Sequence, residues 1–311
     1  MTLTAGISRR KRGFTLIELL IVIIVIAILS AMSLVVVRTA IHSGKASSVK
    51  MQMQQLSMAL DNYKTKVGEY PPDNFLDTQA LERHLKKRWP RARYDDGIVS
   101  AFLRQVVGID PTAGNSAVAL EARSSYVSPL IYFLGGPVGS DGKPMGFCIS
   151  PTDPFNPDPT VQREEPLFKF PDNVITDQWV GEIPAIIVQN TPILYFRSES
   201  KTKYRRGDGH IKFWPLDVEF SGSEGSEVAD YIVWEDVALE LGTMTPFANG
   251  SDDDDFLWCE TDSFQLIHPG MDKMFAPESN IDEPRLIGDL TPADEDTITS
   301  FNEGLTAGSE K

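Results

Sequence analysis

Apolar residues gather in one unbroken block near the start of the chain and then thin into regular stripes. From Phe14 to Val37 the only charged side chain is Glu18. As α-helix those residues would be roughly 36 Å long, more than the ~30 Å hydrocarbon core of a bilayer. Beyond the block, Val49, Met53, Leu56, Leu60, Tyr63 and Val67 recur at alternating steps of four and three. Lys50, Gln52, Gln54, Gln55, Asp61 and Asn62 lie between them, so one apolar stripe runs along a helix. Gly68 supplies a C-terminal stop and Pro71-Pro72 forbids continuation. The pattern predicts one helix from Phe14 to about Lys66, roughly 80 Å long. Residues 14–37 would be its membrane-spanning half, and 38–67 would lie on a folded domain.

Downstream, turn residues punctuate the pattern. Thr78–Trp89 reads as a helix ended by Pro90, and Ile98–Val107 as another with Asp95 and Asp96 ahead of its start. Leu130-Ile131-Tyr132-Phe133-Leu134, before Gly135-Gly136, predicts a short buried element. Residues 135–172, rich in Pro, Gly and Asp, predict a long surface loop. Further on, β-branched and aromatic residues predict strands at Ala185–Val188, Ile193–Phe196, Ile211–Phe220, Val228–Trp234 and Phe264–Ile267. The expected fold is α+β: a long N-terminal helix packed on a small antiparallel sheet. Residues 68–172 would be a large insertion and 173–311 the β-rich head.

Charge fixes a direction. Arg9, Arg10, Lys11 and Arg12 crowd the N-terminal flank of the apolar block, which holds that end in the cytoplasm and sends the rest outward. The 311 residues carry 44 acids against 29 bases, a formal −15, which argues against nucleic acid as a partner. Six Lys and Arg between Arg83 and Arg93 surround Trp89, as a solvated helix face or a docking patch for an acidic surface. The run Asp252–Asp255 reads as a solvated loop. Cys148 and Cys259 would form one disulfide in an oxidising compartment or stay as two buried thiols. His42, His84, His210 and His268 are scattered, with no HExxH, Gly-x-Ser-x-Gly or Gly-rich phosphate loop, so no enzyme is expected.

Glu18 is the anomaly, because a carboxylate inside a membrane span is expensive and calls for a partner. A secretory signal peptide would have a shorter apolar middle and no acid near its start. A plain signal anchor would leave Glu18 without a purpose. The basic cluster, Gly13 and then Phe14-Thr15-Leu16-Ile17-Glu18 resemble the class III signal of type IV pilins and type II secretion pseudopilins. The resemblance implies a cytoplasmic leader of residues 1–13, cut by prepilin peptidase between Gly13 and Phe14. It also implies N-methylation of Phe14 and a registry role for Glu18, pairing with the amine of a neighbouring subunit in a low-dielectric filament core.

Two further stretches carry the resemblance. Leu60-Asp61-Asn62-Tyr63-Lys64 and Val67-Gly68-Glu69-Tyr70-Pro71 are similar to the helix end of the major pseudopilins. Asp177-Gln178-Trp179 is similar to a turn of that family, with Gln178 and Val180 departing from it. In the tail, Pro269-Gly270-Met271-Asp272 and Asp294-Glu295-Asp296 resemble the loop that the family closes around Ca²⁺. Asp272 would supply the first acid and Asp296, or Asp294, the second, although Lys273 replaces the usual Gly. Calcium takes six to eight hard oxygens, which such a loop can offer. A plain acidic loop is the alternative.

The resemblance implies a structural subunit of a type II secretion pseudopilus, with its helix in the bacterial inner membrane and its head in the periplasm. Prepilin peptidase, other pseudopilin subunits and an inner-membrane assembly platform would be its partners. Loss of the leader would leave 25 bases against 44 acids, a formal −19. The alternative is a type IV pilin of an adhesive or DNA-uptake fibre. A different class, an anchored periplasmic binding protein or enzyme, would share only the signal.

Overall fold

Helix α1 runs from Leu16 to Val67, 52 residues, and stops where the sequence predicts. The Gly68 amide bonds back to the Lys64 carbonyl at 2.6 Å with φ of +86°, a left-handed position that suits glycine. The computed structural model describes residues 14–75, 77–114, 128–139, 143–170, 175–176, 185–188, 191–198, 204, 247–252, 255–271, 285–287 and 297–301. The chain divides into two compact units, Met1–Lys45 and Ala46–Lys311. In the second, the predicted stripe is the inner face of α1: Val49, Met53, Leu56, Leu60 and Tyr63 are buried. Burying each such side chain stabilises the fold by roughly 1.5–3 kcal/mol relative to exposure.

What that stripe meets is largely the insertion. Helix α2 (Thr78–Arg88) starts at Asp77, whose carboxylate accepts from the Ala80 amide at 2.8 Å, and turns Leu81, His84 and Leu85 inward. Helix α3 (Ile98–Phe102) widens into one π-helical turn, Leu103–Val107, where a regular α-helix was expected. Asp96 does not cap it; it binds Arg104 of the π turn, and Gly97 begins the helix without a side-chain bond. The wider turn keeps Leu103, Val106 and Val107 all buried. Helix α4 (Ser128–Gly135) is the short buried element, with Leu130 to Leu134 no more than 1% exposed. Its Phe133 ring stacks on Phe102 at 5.2 Å and meets Tyr63, Phe75 and His84 edge-on or tilted. Three insertion helices and α1 thus share one core.

The stretch after α4 is loop, as expected, and its described residues are mostly exposed or half-buried, but part of it packs inward. Phe147 and Phe155 are buried, each against Trp89, and the Arg163 guanidinium donates to the carbonyls of Gly146, Asn156 and Asp158. At Gly146 a Cβ would lie 1.9 Å from the Glu164 carbonyl oxygen, so no other residue fits. The Pro and Gly residues thus belong to a loop that is anchored to the core at Phe147 and Phe155.

The strands are β1 (Ile175–Thr176), β2 (Ala185–Val188), β3 (Thr191–Pro192), β4 (Leu194–Arg197), β5 (Phe247–Asp252), β6 (Asp255–Trp258), β7 (Phe264–His268), β8 (Arg285–Leu286) and β9 (Ile298–Thr299). The described strands form three small ladders, β1-β2-β3, β4-β7-β9 and β6-β5-β8, with one parallel pair, β5 and β8. The predicted strands Ile211–Phe220 and Val228–Trp234, and the Asp177-Gln178-Trp179 turn, lie outside the described residues. The β4–β7 ladder is tied to the end of α1. The Tyr195 hydroxyl donates to the Pro71 carbonyl at 2.8 Å, the Arg197 amide donates to Asp73, and Tyr70 meets Phe264 edge-on.

Candidate assembly site at the start of the long helix

The start of α1 is built by a reciprocal pair of residues. Thr15 is the N-cap and Glu18 the third helical residue, the Thr-x-x-Glu spacing of a capping box. The Glu18 amide donates to the Thr15 hydroxyl oxygen at 3.3 Å. In return the Thr15 amide and hydroxyl donate to Glu18 Oε2 at 2.8 and 2.7 Å. The sequence reading singled out Glu18 and passed over Thr15, although the spacing of the two was legible.

Around this box every described side chain from Phe14 to Ser30 is exposed, and Phe14 is 77% exposed. An uninterrupted apolar helix surface of this kind marks an interaction site with protein or lipid. Among the described residues no helix is long and apolar enough to cross a membrane. The expected span, residues 14–37, includes side chains 31–36, which lie outside the described residues. Gly13 lies outside them as well, so Phe14 and Glu18 are the described members of the predicted processing site.

A second polar cluster went unread because its members are far apart in sequence. Buried His84 places Nδ1 2.6 Å from Glu69 Oε1 and Nε2 2.7 Å from the Tyr63 hydroxyl. A carboxylate only accepts, so Nδ1 carries the proton and the Tyr63 hydroxyl donates to Nε2. Burial lowers the His84 pKa and keeps the ring neutral, and burial likewise raises that of Tyr63. The bond from His84 holds Glu69 at about 2, helped by Arg197 and Lys87 nearby. Tyr63 and His84 are wholly enclosed, so this cluster fastens α1 to α2 rather than offering a reactive group.

The predicted metal ligands Asp272, Asp294 and Asp296 all lie outside the described residues. Among the described residues no group of three or more His, Cys, Asp or Glu is placed to hold a metal ion. Cys148 and Cys259 are free and buried, and burial pushes the Cys259 thiol up to about 11. Of the run expected as a loop, Asp252 ends β5 and Asp255 begins β6, paired across the hairpin, and Asp253 and Asp254 lie outside the described residues.

Residues 8–34 match the prokaryotic N-terminal methylation motif. The chain is also 33% identical over 79 residues to the type II secretion system core protein G of Pseudomonas aeruginosa. That similarity takes in 25% of this chain and 53% of the relative, so the chain spans about half the length of the curated relative it matches. No solved structure matches the chain.

Proposed function

We propose that this chain is a structural subunit of a type II secretion pseudopilus. Cut and N-methylated by prepilin peptidase at Gly13–Phe14, it would build into a periplasmic filament. The observation that carries the reading is a methylation motif that takes in an exposed apolar start of the long helix, where the only acid between Phe14 and Val37 is Glu18. Residues 14–37 anchor the unassembled subunit in the inner membrane, N-terminus in the cytoplasm, since the four basic residues stay on that side. Cleavage removes those charges and leaves a cationic amine on Phe14. Thr15 becomes the second residue of the mature chain, so the capping box survives processing.

The box gives Glu18 a partner while the subunit is alone, satisfying Oε2 with two donors of its own helix. In the filament a neighbour's amine supplies the countercharge, and a pair buried in apolar surroundings forces register because either charge alone is strongly unfavourable. The partial similarity to a secretion core protein supports secretion over an adhesive or DNA-uptake fibre. The residue that begins the mature chain, Phe14 or a later one, tests the reading.

Calcium at Asp272, Asp294 and Asp296 belongs to the same proposal and rests on the resemblance of the tail. Calcium at a hundredfold excess over its Kd is expected to raise the melting temperature of the full chain by about 5 °C or more. Magnesium should do less, because it demands a smaller octahedral shell. Equal melting temperatures in calcium and in chelator would retire the metal and leave the filament reading standing.

A further inference from the structure

The seam between α1 and α2 is closed by one arrangement of protons. His84 gives its Nδ1 proton to Glu69 Oε1 at 2.6 Å and takes the Tyr63 hydroxyl proton at Nε2, 2.7 Å away. Both ring nitrogens are thus used, one as donor and one as acceptor, and the side chain is 1% exposed. The imidazole stacks on the Tyr63 ring, and α4 meets it with the uncharged Phe133 ring at 5.2 Å.

A second proton has no place here. A cationic ring must donate from Nε2 as well, so the Tyr63 hydroxyl would have to turn its own proton away. Among the described residues no acceptor other than Nε2 is bonded to that hydroxyl. The new charge would also fall among cations. Arg88 lies over the Tyr63 ring at 4.7 Å, and Lys87 and Arg197 of β4 stand 3.4 and 3.6 Å from Glu69 Oε2. Among the described residues Glu69 is the one anion that touches the ring, and those two cations already share it. Burial, with Arg197 and Arg88 adding to it, lowers the affinity of His84 for a proton against the pull of Glu69.

We propose that the Glu69–His84–Tyr63 cluster is an acid-operated latch, in which a proton taken up at His84 Nε2 parts α2 from α1. The proton comes from solvent and turns Nε2 from acceptor into donor. The bond from Tyr63 is lost, and a poorly compensated charge sits in the core. Swinging His84 out to water relieves it, and α2, which carries His84 beside buried Leu81 and Leu85, leaves the inner face of α1. The stability that the neutral ring contributes is complete above the ordinary histidine value of about 6.5. It is lost as the pH falls from there through the lowered folded value. Glu69, held at about 2, gives up its own share only below its ordinary value of 4.5. Loosening between about pH 6.5 and 5.5 is therefore the signature of His84. The latch is a property of the folded chain, whether or not copies assemble.

The experiment follows hydrogen exchange of the α2 amides in the full-length chain in detergent, corrected for the intrinsic pH dependence of exchange. In the wild type the opening of α2 is expected to rise about fivefold between about pH 6.5 and 5.5. One added proton contributes that much for a group of ordinary pKa that is neutral when closed. In His84→Gln, which cannot take up the proton, the rise should be less than about twofold, whatever the opening at the higher pH. Nitrogen-15 NMR of the wild-type histidines is a second reading that needs no variant. The His84 ring should keep a protonated Nδ1 and a bare Nε2 at about pH 6, where a free imidazole is mostly cationic. Equal acid loosening in wild type and His84→Gln, no loosening in the wild type, or a cationic His84 ring with α2 still protected overturns the proposal.

Discussion

Replacing Phe133 by alanine is expected to lower the melting temperature of the full chain by on the order of 10 °C. The side chain is wholly buried, and its ring touches Tyr63 of α1, Phe75 of the following turn, His84 of α2 and Phe102 of α3. Truncating a buried Phe costs about 3–5 kcal/mol through lost transfer energy and the cavity left behind. In chains of a few hundred residues each kcal/mol corresponds to about 2–4 °C. Phe133 joins the long helix to three elements of the insertion at once, so little can collapse to fill its place. Leu257→Ala, at a position 77% exposed, should change the melting temperature by no more than about 2 °C. Thermal unfolding followed by circular dichroism checks both. A Phe133 variant that melts with the wild type would mean that α1 and the insertion do not share a core.

The second large effect is expected at Glu18, where alanine and glutamine separate two roles. A Thr-x-x-Gln capping box still closes, because the Gln side-chain carbonyl accepts from the Thr15 amide. Glutamine therefore preserves the helix start and removes only the charge. If Glu18 pairs with a neighbour's amine, both Glu18→Ala and Glu18→Gln lose assembly. Leaving the amine buried and unpaired should weaken each contact by about a hundredfold or more. Both variants should still be inserted and processed, since removing a charge from an apolar helix eases insertion. Filament yield by electron microscopy is the readout. Normal assembly of Glu18→Gln with loss in Glu18→Ala would assign Glu18 to capping alone.

The parts of this fold that were legible in the sequence are those written locally. The stripe from Val49 to Val67 and the Gly68 stop predict α1 and its inner face, because helical periodicity and a left-handed glycine need no distant partner. Pro90 likewise ends α2 within a residue of its expected end. Residues 247–252 escaped the reading because Phe-Ala-Asn-Gly-Ser-Asp lacks alternation. Their strand is set from outside: the Gln265 side chain bonds both the amide and the carbonyl of Phe247, and β6 pairs alongside. The π turn at Leu103–Val107 follows from the core that its three apolar side chains must reach, which local spacing does not encode. Phe147 and Phe155 were hidden among turn residues whose composition reads as surface. At the site itself the motif around Gly13, Phe14 and Glu18 was plain, whereas the Glu69–His84–Tyr63 cluster joins residues that only the packing of α2 on α1 brings together.

The central claim, a subunit cut after Gly13 and methylated on Phe14, is tested most directly by the intact mass of the chain recovered from the membrane of a cell that carries prepilin peptidase. The account predicts a mass that begins at Phe14 plus one methyl group, and an unmethylated precursor that keeps the residues up to Gly13 when the peptidase is absent. A mature chain beginning beyond Ala31, with or without the peptidase, would mean ordinary signal-peptide removal and would contradict the account.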